Sequence, residues 1–376
     1  MRKLSDAAQA QIDVFEQVLI KHPRLEQVEA QVMQTMLEKA GYSHLLVFGP
    51  TGVGKSMMMQ RVVGAFMATA TRDEVPVVSI EAIPSDVGAF HRIHYYRQIL
   101  HELKEYYPVK DIMADLPPEP KSGRTRSTGE WAVLRDAAET ALKVMKVRAV
   151  MIDEAQHLMN IGKDDSLTEQ LDWVKSMSNR SEALHVLVGN YDLVHFRNLN
   201  AQAARRGHDV HFPRYQYHQA EDLRNFAGAL NHLLRHVPIP CDQQNLLEQW
   251  QYFYERTIGC VGILHDWFVK TLHAAIYAAE TPKVKTSATL TLDLFKTHAP
   301  NDAQVDSFVQ AALAGEKALE VSAHKMEELR SLLGMDGAAP HLDVPNETTP
   351  APAPKRKPRT NRTRSQKGTE TPDLTE

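Results

Sequence analysis

The chain has 376 residues, of which 43% are hydrophobic and 24% are charged, and its formal net charge is -4 at pH 7. This composition is typical of a globular protein with a sizeable buried core, and the net acidity excludes a uniformly basic nucleic-acid-binding protein. The sequence contains no apolar run of the roughly 18 residues that a membrane span needs, and its N-terminus turns polar before a signal-peptide core could form. A cytoplasmic location without membrane contact is therefore expected. The two cysteines, Cys241 and Cys260, lack zinc-ligand spacing, so we expect them to be small buried apolar residues.

Apolar runs and helical stretches alternate along the first 217 residues. Helical spacing between residues 6 and 40, interrupted at Pro23, predicts two helices before the first strand. Five apolar runs then read as strands with helices between them: HLLVFG, VPVVSIEAI, RAVMIDE, LHVLVGN and the weaker DVHF. This alternation predicts an α/β fold with a parallel five-stranded sheet flanked by helices on both faces.

After Tyr217 the pattern changes to helices alone, predicted over 221–235, 243–257, 261–278 and 290–297. Two more amphipathic stretches follow, over 303–314 and 316–333. The predicted organisation is an N-terminal helical linker (1–43), an α/β domain (44–217), a small helical domain (218–300), two C-terminal helices (301–336) and a tail (337–376). The tail is rich in Pro and Thr and carries the basic run KRKPRTNRTRSQK, so we expect it to be disordered and solvated. This basic run is interpreted either as a simple linker or as a segment that binds nucleic acid or a partner protein.

The segment GPTGVGKS matches the phosphate-loop pattern G-x-x-x-x-G-K-[ST] and lies between a predicted strand and a predicted helix. Its glycines allow the backbone N–H groups and the helix N-terminus to face phosphate oxygens. Lys55 is expected to neutralise the outer phosphates of ATP, and the Ser56 hydroxyl to bind Mg²⁺. The predicted nucleotide-binding residues are Gly49, Pro50, Thr51, Gly52, Val53, Gly54, Lys55 and Ser56, together with Asp153.

Two further apolar strands end in polar residues. AVMIDE ends in a pair of carboxylates that a buried strand has no packing reason to carry, so we expect Asp153 to hold Mg²⁺ and Glu154 to activate the attacking water. VLVGN ends in Asn190, whose amide can position that water or can simply complete a turn.

Arg205 and Arg206 stand just before the last predicted strand. They are either solvated surface charges or arginine fingers that reach into the nucleotide site of a neighbouring subunit. The order of phosphate loop, acidic strand end, polar strand end and arginine pair indicates an AAA+ P-loop ATPase that uses ATP and Mg²⁺.

Over residues 20 to 280 the chain resembles the TniB/TnsC family of AAA+ transposition regulators, which is related to the MuB and IstB helper proteins. The segments that carry the resemblance are HPRLEQVEAQVMQTMLE, FGPTGVGKS, VVSIEAIPSDVGAFHRIHYYRQIL, VRAVMIDEAQHLM, LDWVKSMSN, LHVLVGN, QAARRG, FPRYQ and GCVGILHDWFVKTLHAAI. The resemblance implies an ATP-dependent regulator of DNA transposition that oligomerises on duplex DNA as a ring or helical filament. Such a protein marks a target with a target-selector protein, recruits a DDE transposase and disassembles when ATP is hydrolysed.

The resemblance also implies roles for individual residues. Asn190 falls on the sensor position, and the spacing from Gln202 favours Arg206 over Arg205 as the finger, although Gly207 replaces the usual aromatic residue. Ile263 stands where many AAA+ proteins carry a second sensor arginine.

DNA contacts are expected from loops that line a central pore in such an assembly. The candidates are Lys121, Arg124 and Arg126 in KSGRTRST, and Lys163 after the acidic strand. They would contact phosphates without reading sequence. An alternative function is that of an AAA+ loader or remodelling ATPase acting on a helicase or another protein client, because such proteins share the fold and the site. A third hypothesis treats residues 303–333 and the basic tail as an adaptor for transposase or targeting proteins.

Overall fold

The structure is a computed structural model. The structure describes residues 4–38, 41–71, 74–83, 90–104, 128–160, 166–198, 205–280, 288–320, 323–335 and 337. The chain divides into two units, Met1–Glu320 and Val321–Glu376. The predicted tail, apart from Gly337, lies outside the described residues. Across the described ranges, no helix is both long enough and apolar enough to cross a membrane.

The helices and strands of the first half follow the predicted order. They are α1 (Asp6–Glu16), α2 (Pro23–Glu38), β1 (His44–Phe48), α3 (Lys55–Ala68), β2 (Val77–Glu81), α4 (Arg92–Leu103), α5 (Thr128–Val144), β3 (Ala149–Asp153), α6 (Leu167–Ser181), β4 (Leu184–Gly189), α7 (Val194–Asn198) and β5 (Gly207–His211). Short 3-10 helices, Ala155–Met159 and Tyr191–Leu193, follow β3 and β4. Pro23 is the first residue of α2, where its fixed φ suits a helix start and its missing N–H costs nothing.

The second half consists of helices. They are α8 (Ala220–His236), α9 (Gln243–Glu248), α10 (Trp250–Thr257), α11 (Val261–Ala279), α12 (Leu292–Thr297), α13 (Asp302–Leu319) and, in the second unit, α14 (Ala323–Leu332). The single helix predicted over 243–257 is divided at Gln249, which ends α9 with φ -88° and ψ 18°. The break predicted between residues 314 and 316 is absent, because α13 continues through Gly315 to Leu319.

The five strands form one parallel sheet in the order β2-β3-β4-β1-β5. Side chains alternate between its faces, and each face is covered by helices. One face of the sheet packs against α4, α5 and α6 and contributes Leu46, Phe48, Val150 and Ile152 to their common core. The opposite face packs against α2 and α3. The predicted α/β fold with a five-stranded sheet flanked by helices is confirmed. In a parallel sheet all carboxyl ends lie at one edge, which brings the residues that follow β1, β3 and β4 together.

Two elements outside the sheet pack against the helical part. Ile12 and Phe15 of α1 share a core with α8, α10 and α11. On α13, Ala312 is fully buried against Ile258, Cys260 and Ile263 at the start of α11. A Cβ on Gly315 would lie 2.0 Å from the Tyr191 ring, so α13 passes closely over the residue that follows Asn190.

Three buried histidines make stability sensitive to pH. His22, His44 and His185 are each at most 5% exposed, and burial lowers the pKa of each to about 4. They are therefore neutral in the folded protein but protonated below pH 6.5 in the unfolded chain, which binds the additional protons. Their contribution to stability is fully present above pH 6.5 and is lost as the pH falls towards 4.

We expect the free energy of unfolding to fall by about 4 kcal/mol between pH 7.5 and pH 5.5, which is roughly 1.3 kcal/mol for each histidine. Urea unfolding across this range measures the loss. His185→Gln is expected to reduce the pH slope by about a third, and His218→Gln, the same replacement at an exposed position, is the matched control. A flat stability profile over this range would contradict the prediction.

Candidate nucleotide site

The loop between β1 and α3 has the geometry that phosphate binding requires. Gly49 lies against the backbone of Phe212, and a Cβ there would be 2.1 Å from the Phe212 carbonyl oxygen. Gly52 has φ +75°, and a Cβ there would lie 2.3 Å from Ile263. Both positions therefore need glycine, the first for close backbone approach and the second also for its left-handed conformation. The loop leads directly into the N-terminus of α3, where backbone N–H groups can donate to an anion.

Lys55 is the first residue of α3 and is 9% exposed. Its Nζ donates to the carbonyl oxygens of Gly49 at 3.0 Å and Pro50 at 2.9 Å, so the ammonium group lies inside the loop. Burial lowers the pKa of Lys55, and the nearby carboxylates of Glu154 and Asp153 raise it. A bound phosphate would supply the negative charge that this buried cation lacks.

Ser56 and Asp153 meet although they are far apart in sequence. The Ser56 hydroxyl donates to Asp153 Oδ2 at 2.8 Å, and Asp153 Oδ1 accepts the Glu154 backbone N–H at 2.9 Å. One hydroxyl and one carboxylate beside a phosphate loop form the oxygen-rich donor set that Mg²⁺ binds together with waters and phosphate oxygens. These residues fit the predicted ion.

Glu154 and Asn190 lie at the same edge of the sheet and are connected through Gln156. Glu154 has φ +49°, a left-handed conformation that is uncommon for a residue with a side chain and often marks a functional turn. Gln156 Nε2 donates to Glu154 Oε2, and Gln156 Oε1 accepts the Asn190 N–H at 3.2 Å. Asn190 Oδ1 accepts the Asp192 N–H at 2.9 Å, so the side chain starts the following 3-10 helix and its amide nitrogen remains available.

The start of α11 closes one side of the phosphate loop. The Ile263 N–H donates to the Gly52 carbonyl at 3.1 Å, and Gly262 lies so close that a Cβ there would be 2.5 Å from the same oxygen. Backbone and apolar contacts thus join the helical part to the loop at Ile263, the position where many AAA+ proteins carry a second sensor arginine. Burial raises the pKa of the adjacent Cys260 to about 12, so this thiol stays neutral.

A mainly apolar cavity lies between the phosphate loop, α11 and the segment that joins α1 to α2. Sequence reasoning did not find this cavity, because its walls come from three distant segments with no common motif. Its lining residues are Val18, Ile20, His22, Leu25, Val53, Gly54, Met57, Val261, Gly262 and His265. Such a cavity beside the first turn of α3 suits a flat apolar ring such as a nucleotide base.

A second, open cavity lies on the other side of Ser56 and Asp153. It is lined by Ser56, Met59, Gln60, Ser79, Ile80, Glu81, His94, Arg97, Gln98, His101, Glu102 and Asp153. Three carboxylates and one arginine make this side of the nucleotide site net acidic when its histidines are neutral.

Arg205 and Arg206 lie at the opposite edge of the sheet from the phosphate loop. The Ser43 N–H donates to the Arg206 carbonyl oxygen at 3.0 Å, and Gly207 pairs with His44 at the amino end of β1. Both arginines are exposed and line an open groove with Asp172, Lys175, Ser176, Asn179 and Arg180. Within the described ranges, neither guanidinium group has an ion-pair partner.

The predicted DNA-contact residues Lys121, Arg124, Arg126 and Lys163 lie outside the described residues. Among the residues that the structure describes, no cluster of three or more His, Cys, Asp or Glu side chains could hold a metal ion. Cys241 and Cys260 are both free thiols, the first half-buried and the second buried.

Comparison with protein families and solved structures shows what this chain is similar to. The model of the AAA domain family matches residues 39–196. Aeropyrum pernix ORC1 protein in complex with DNA is 15% identical, with a TM-score of 0.49 over 74% of this chain and 65% of that one. Aeropyrum pernix ORC2 protein is 15% identical, with a TM-score of 0.44 over 86% and 79% of the two chains.

A Walker-type ATPase of Pyrococcus abyssi is also 15% identical, with a TM-score of 0.43 over 86% of this chain and 80% of that one. These structures are too distant to assign a ligand or partner to this chain. A comparison with curated proteins found no match. The family match over β1 to β4, the complete phosphate loop and the parallel strand order agree with one another: the protein is an ATPase with an AAA+ P-loop fold.

Proposed function

We propose that the protein is an ATP-dependent regulator of DNA transposition of the TniB/TnsC kind. In this proposal it oligomerises on duplex DNA when ATP is bound, marks the target with a target-selector protein and recruits a DDE transposase. Hydrolysis then drives disassembly. The order and spacing of motifs from the phosphate loop to GCVGILHDWFVKTLHAAI support the family.

The main support for assembly between subunits is the distance between the arginine pair and the nucleotide site of the same chain. Arg206 stands at the amino end of β5, and the phosphate loop follows the carboxyl end of β1. Five residues of strand span about 16 Å, which is more than an arginine side chain can bridge. A finger at Arg205 or Arg206 can therefore serve only the nucleotide of another subunit.

The charges on the two edges support a head-to-tail contact. The groove around Arg206 is lined by four cations and one carboxylate, namely Lys175, Arg180, Arg205, Arg206 and Asp172. Lys175 pairs with Asp172 and Arg180 pairs with Glu139, so Arg205 and Arg206 supply the net positive charge of the groove. The cavity beside Ser56 carries three carboxylates, Glu81, Glu102 and Asp153, and one arginine, Arg97. Opposite charges steer such surfaces together, and a contact between two different patches generates rings or helical filaments.

The residues at the site have separate tasks in this proposal. The apolar cavity would receive the adenine base and Lys55 would neutralise the outer phosphates. Ser56 and Asp153 would hold Mg²⁺, which would offset phosphate charge. Glu154 takes a proton from the attacking water, and the Asn190 amide positions that water. Arg206 of a neighbouring subunit stabilises the charge that develops on the transferred phosphoryl group.

DNA binding is assigned to the basic loop KSGRTRST. With an acidic net charge and few cations in each subunit, affinity has to come from contacts repeated around an oligomer. Binding should therefore require ATP and should favour duplex DNA. Fluorescence anisotropy with duplex and single-stranded oligonucleotides, with and without a non-hydrolysable ATP analogue, tests this proposal. Tight binding to single-stranded DNA alone would instead support a loader.

Replacing Lys121, Arg124 and Arg126 together by Ala is expected to weaken duplex binding at least tenfold at moderate salt. It should also lower the slope of log K against log salt by up to about three for each bound subunit, because fewer counterions are released. The matched control replaces three cations of the tail, Lys355, Arg356 and Lys357, by Ala. If the salt slope were unchanged in the loop variant and reduced in the tail variant, the tail and not the loop would be the DNA-binding segment.

A further inference from the structure

Gln156 connects the proposed base to the end of a neighbouring strand. It lies in the 3-10 helix that follows Glu154, and both ends of its carboxamide are used. The Nε2 atom donates to Glu154 Oε2, and the Oε1 atom accepts the Asn190 backbone N–H at 3.2 Å. One side chain therefore joins two of the residues assigned to water activation.

The orientation of this carboxamide follows from its partners. The Asn190 backbone N–H can only donate, so it must face the oxygen of Gln156, which leaves the amide nitrogen for the Glu154 carboxylate. Gly189 makes room for the arrangement, because a Cβ there would lie 2.3 Å from Gln156 Oε1. Because Gly189 has no side chain at the end of β4, it leaves the space that the Gln156 carboxamide occupies.

The Glu154 carboxylate depends on this contact. In the described ranges, Gln156 is the only side chain that forms a hydrogen bond with it. The Glu154 backbone is fixed by its positive φ and by its N–H bond to Asp153 Oδ1 at 2.9 Å, but neither feature orients the end of the side chain. Without Gln156, the carboxylate would be free to rotate away from the position where a water must lie.

We propose that Gln156 is a positioning residue for ATP hydrolysis: it holds one oxygen of Glu154 and leaves the other free to accept the proton of the attacking water. Because its other end binds the backbone of Asn190, a shift of the β4 end moves the base as well. The inference rests on the proposed role of Glu154. Hydrogen-bonding partners that orient the ligands of metal sites typically contribute 10- to 100-fold to activity, and we expect an effect of this size for Gln156.

The test compares two replacements that separate the contacts. Gln156→Met keeps the length and removes both hydrogen bonds, whereas Gln156→Glu keeps an acceptor for the Asn190 N–H but cannot donate to Glu154. Both should lower kcat about 10- to 100-fold, with KM and the Kd of ATP changed less than about twofold. The Tm should fall by no more than a few degrees, because each variant loses only one or two hydrogen bonds. A residue that only supports the end of β4 would tolerate Gln156→Glu, so wild-type kcat in that variant would overturn the inference.

A double-mutant cycle provides the second readout. In a Glu154→Gln background there is no base to position, so Gln156→Met should cause no further loss. An equal loss in both backgrounds would show a structural role and would overturn the inference. If the Glu154→Gln protein hydrolysed ATP at the wild-type rate, the role proposed for Glu154 would be wrong, and the inference about Gln156 would fail with it. Because this outcome is seen in the Glu154→Gln single variant, it is distinguishable from a failure that concerns Gln156 alone.

Discussion

Replacing Glu154 by Gln is expected to lower kcat for ATP hydrolysis by about 10²- to 10⁴-fold, because the amide cannot accept a proton from the attacking water. The Kd of ATP should stay within a few-fold of the wild-type value, since Lys55, Ser56 and Asp153 remain in place. Steady-state phosphate release and equilibrium binding of a fluorescent ATP analogue measure the two quantities.

The matched control is Glu169→Gln, which makes the same chemical change at an exposed position in the first turn of α6. It should hydrolyse ATP at the wild-type rate. A Glu154→Gln protein that retains more than about a tenth of the wild-type kcat would be inconsistent with general-base catalysis by this residue.

Replacing Arg206 by Ala is expected to reduce ATP hydrolysis by about 10³-fold or more while each subunit still binds ATP. The reason is geometric: Arg206 lies at the amino end of β5, so it can act only on the nucleotide of a neighbour. Arg205→Ala is the comparison, and the smaller loss is expected there. A larger loss in Arg205→Ala would assign the finger to Arg205.

Mixing experiments separate a finger acting between subunits from a residue that acts within its own subunit. Neither Arg206→Ala nor Glu154→Gln protein should hydrolyse ATP alone. In an equal mixture, about a quarter of the head-to-tail contacts combine an intact Glu154 with an intact Arg206, so activity should return. No recovery in the mixture would show that Arg206 does not complete a partner's site.

Much of the fold could be predicted because local patterns and tertiary packing agree. Apolar runs such as HLLVFG are short and β-branched or aliphatic, and each is followed by a helical stretch, which predicts a parallel sheet covered on both faces. The sites that follow β1, β3 and β4 were predictable for the same reason, since parallel strands end at one edge.

Other features depend on contacts between distant segments. α13 continues through Gly315, where the helix lies too close to Tyr191 for a side chain to fit, and local propensity cannot predict this contact between distant segments. Gln249 divides a stretch whose apolar spacing suggests a single helix. The contact between Ile263 and Gly52 and the apolar cavity beside it join segments that share no motif.

Gln156 shows the same limit at the site. Within the sequence it is one polar residue in a short helical stretch, and nothing in AVMIDEAQ distinguishes it from a solvated side chain. Its importance appears only when Gly189 and Asn190 are brought against it by the pairing of β3 with β4. Function that arises from such pairings cannot be read from spacing alone.

The most direct test of the account is electron microscopy of Glu154→Gln protein with duplex DNA, with ATP and without nucleotide, supported by sedimentation velocity. With ATP, we expect rings or helical filaments that enclose or follow the DNA, and without nucleotide we expect separate subunits. Protein that stays monomeric on duplex DNA in the presence of ATP would contradict the proposal that nucleotide controls assembly.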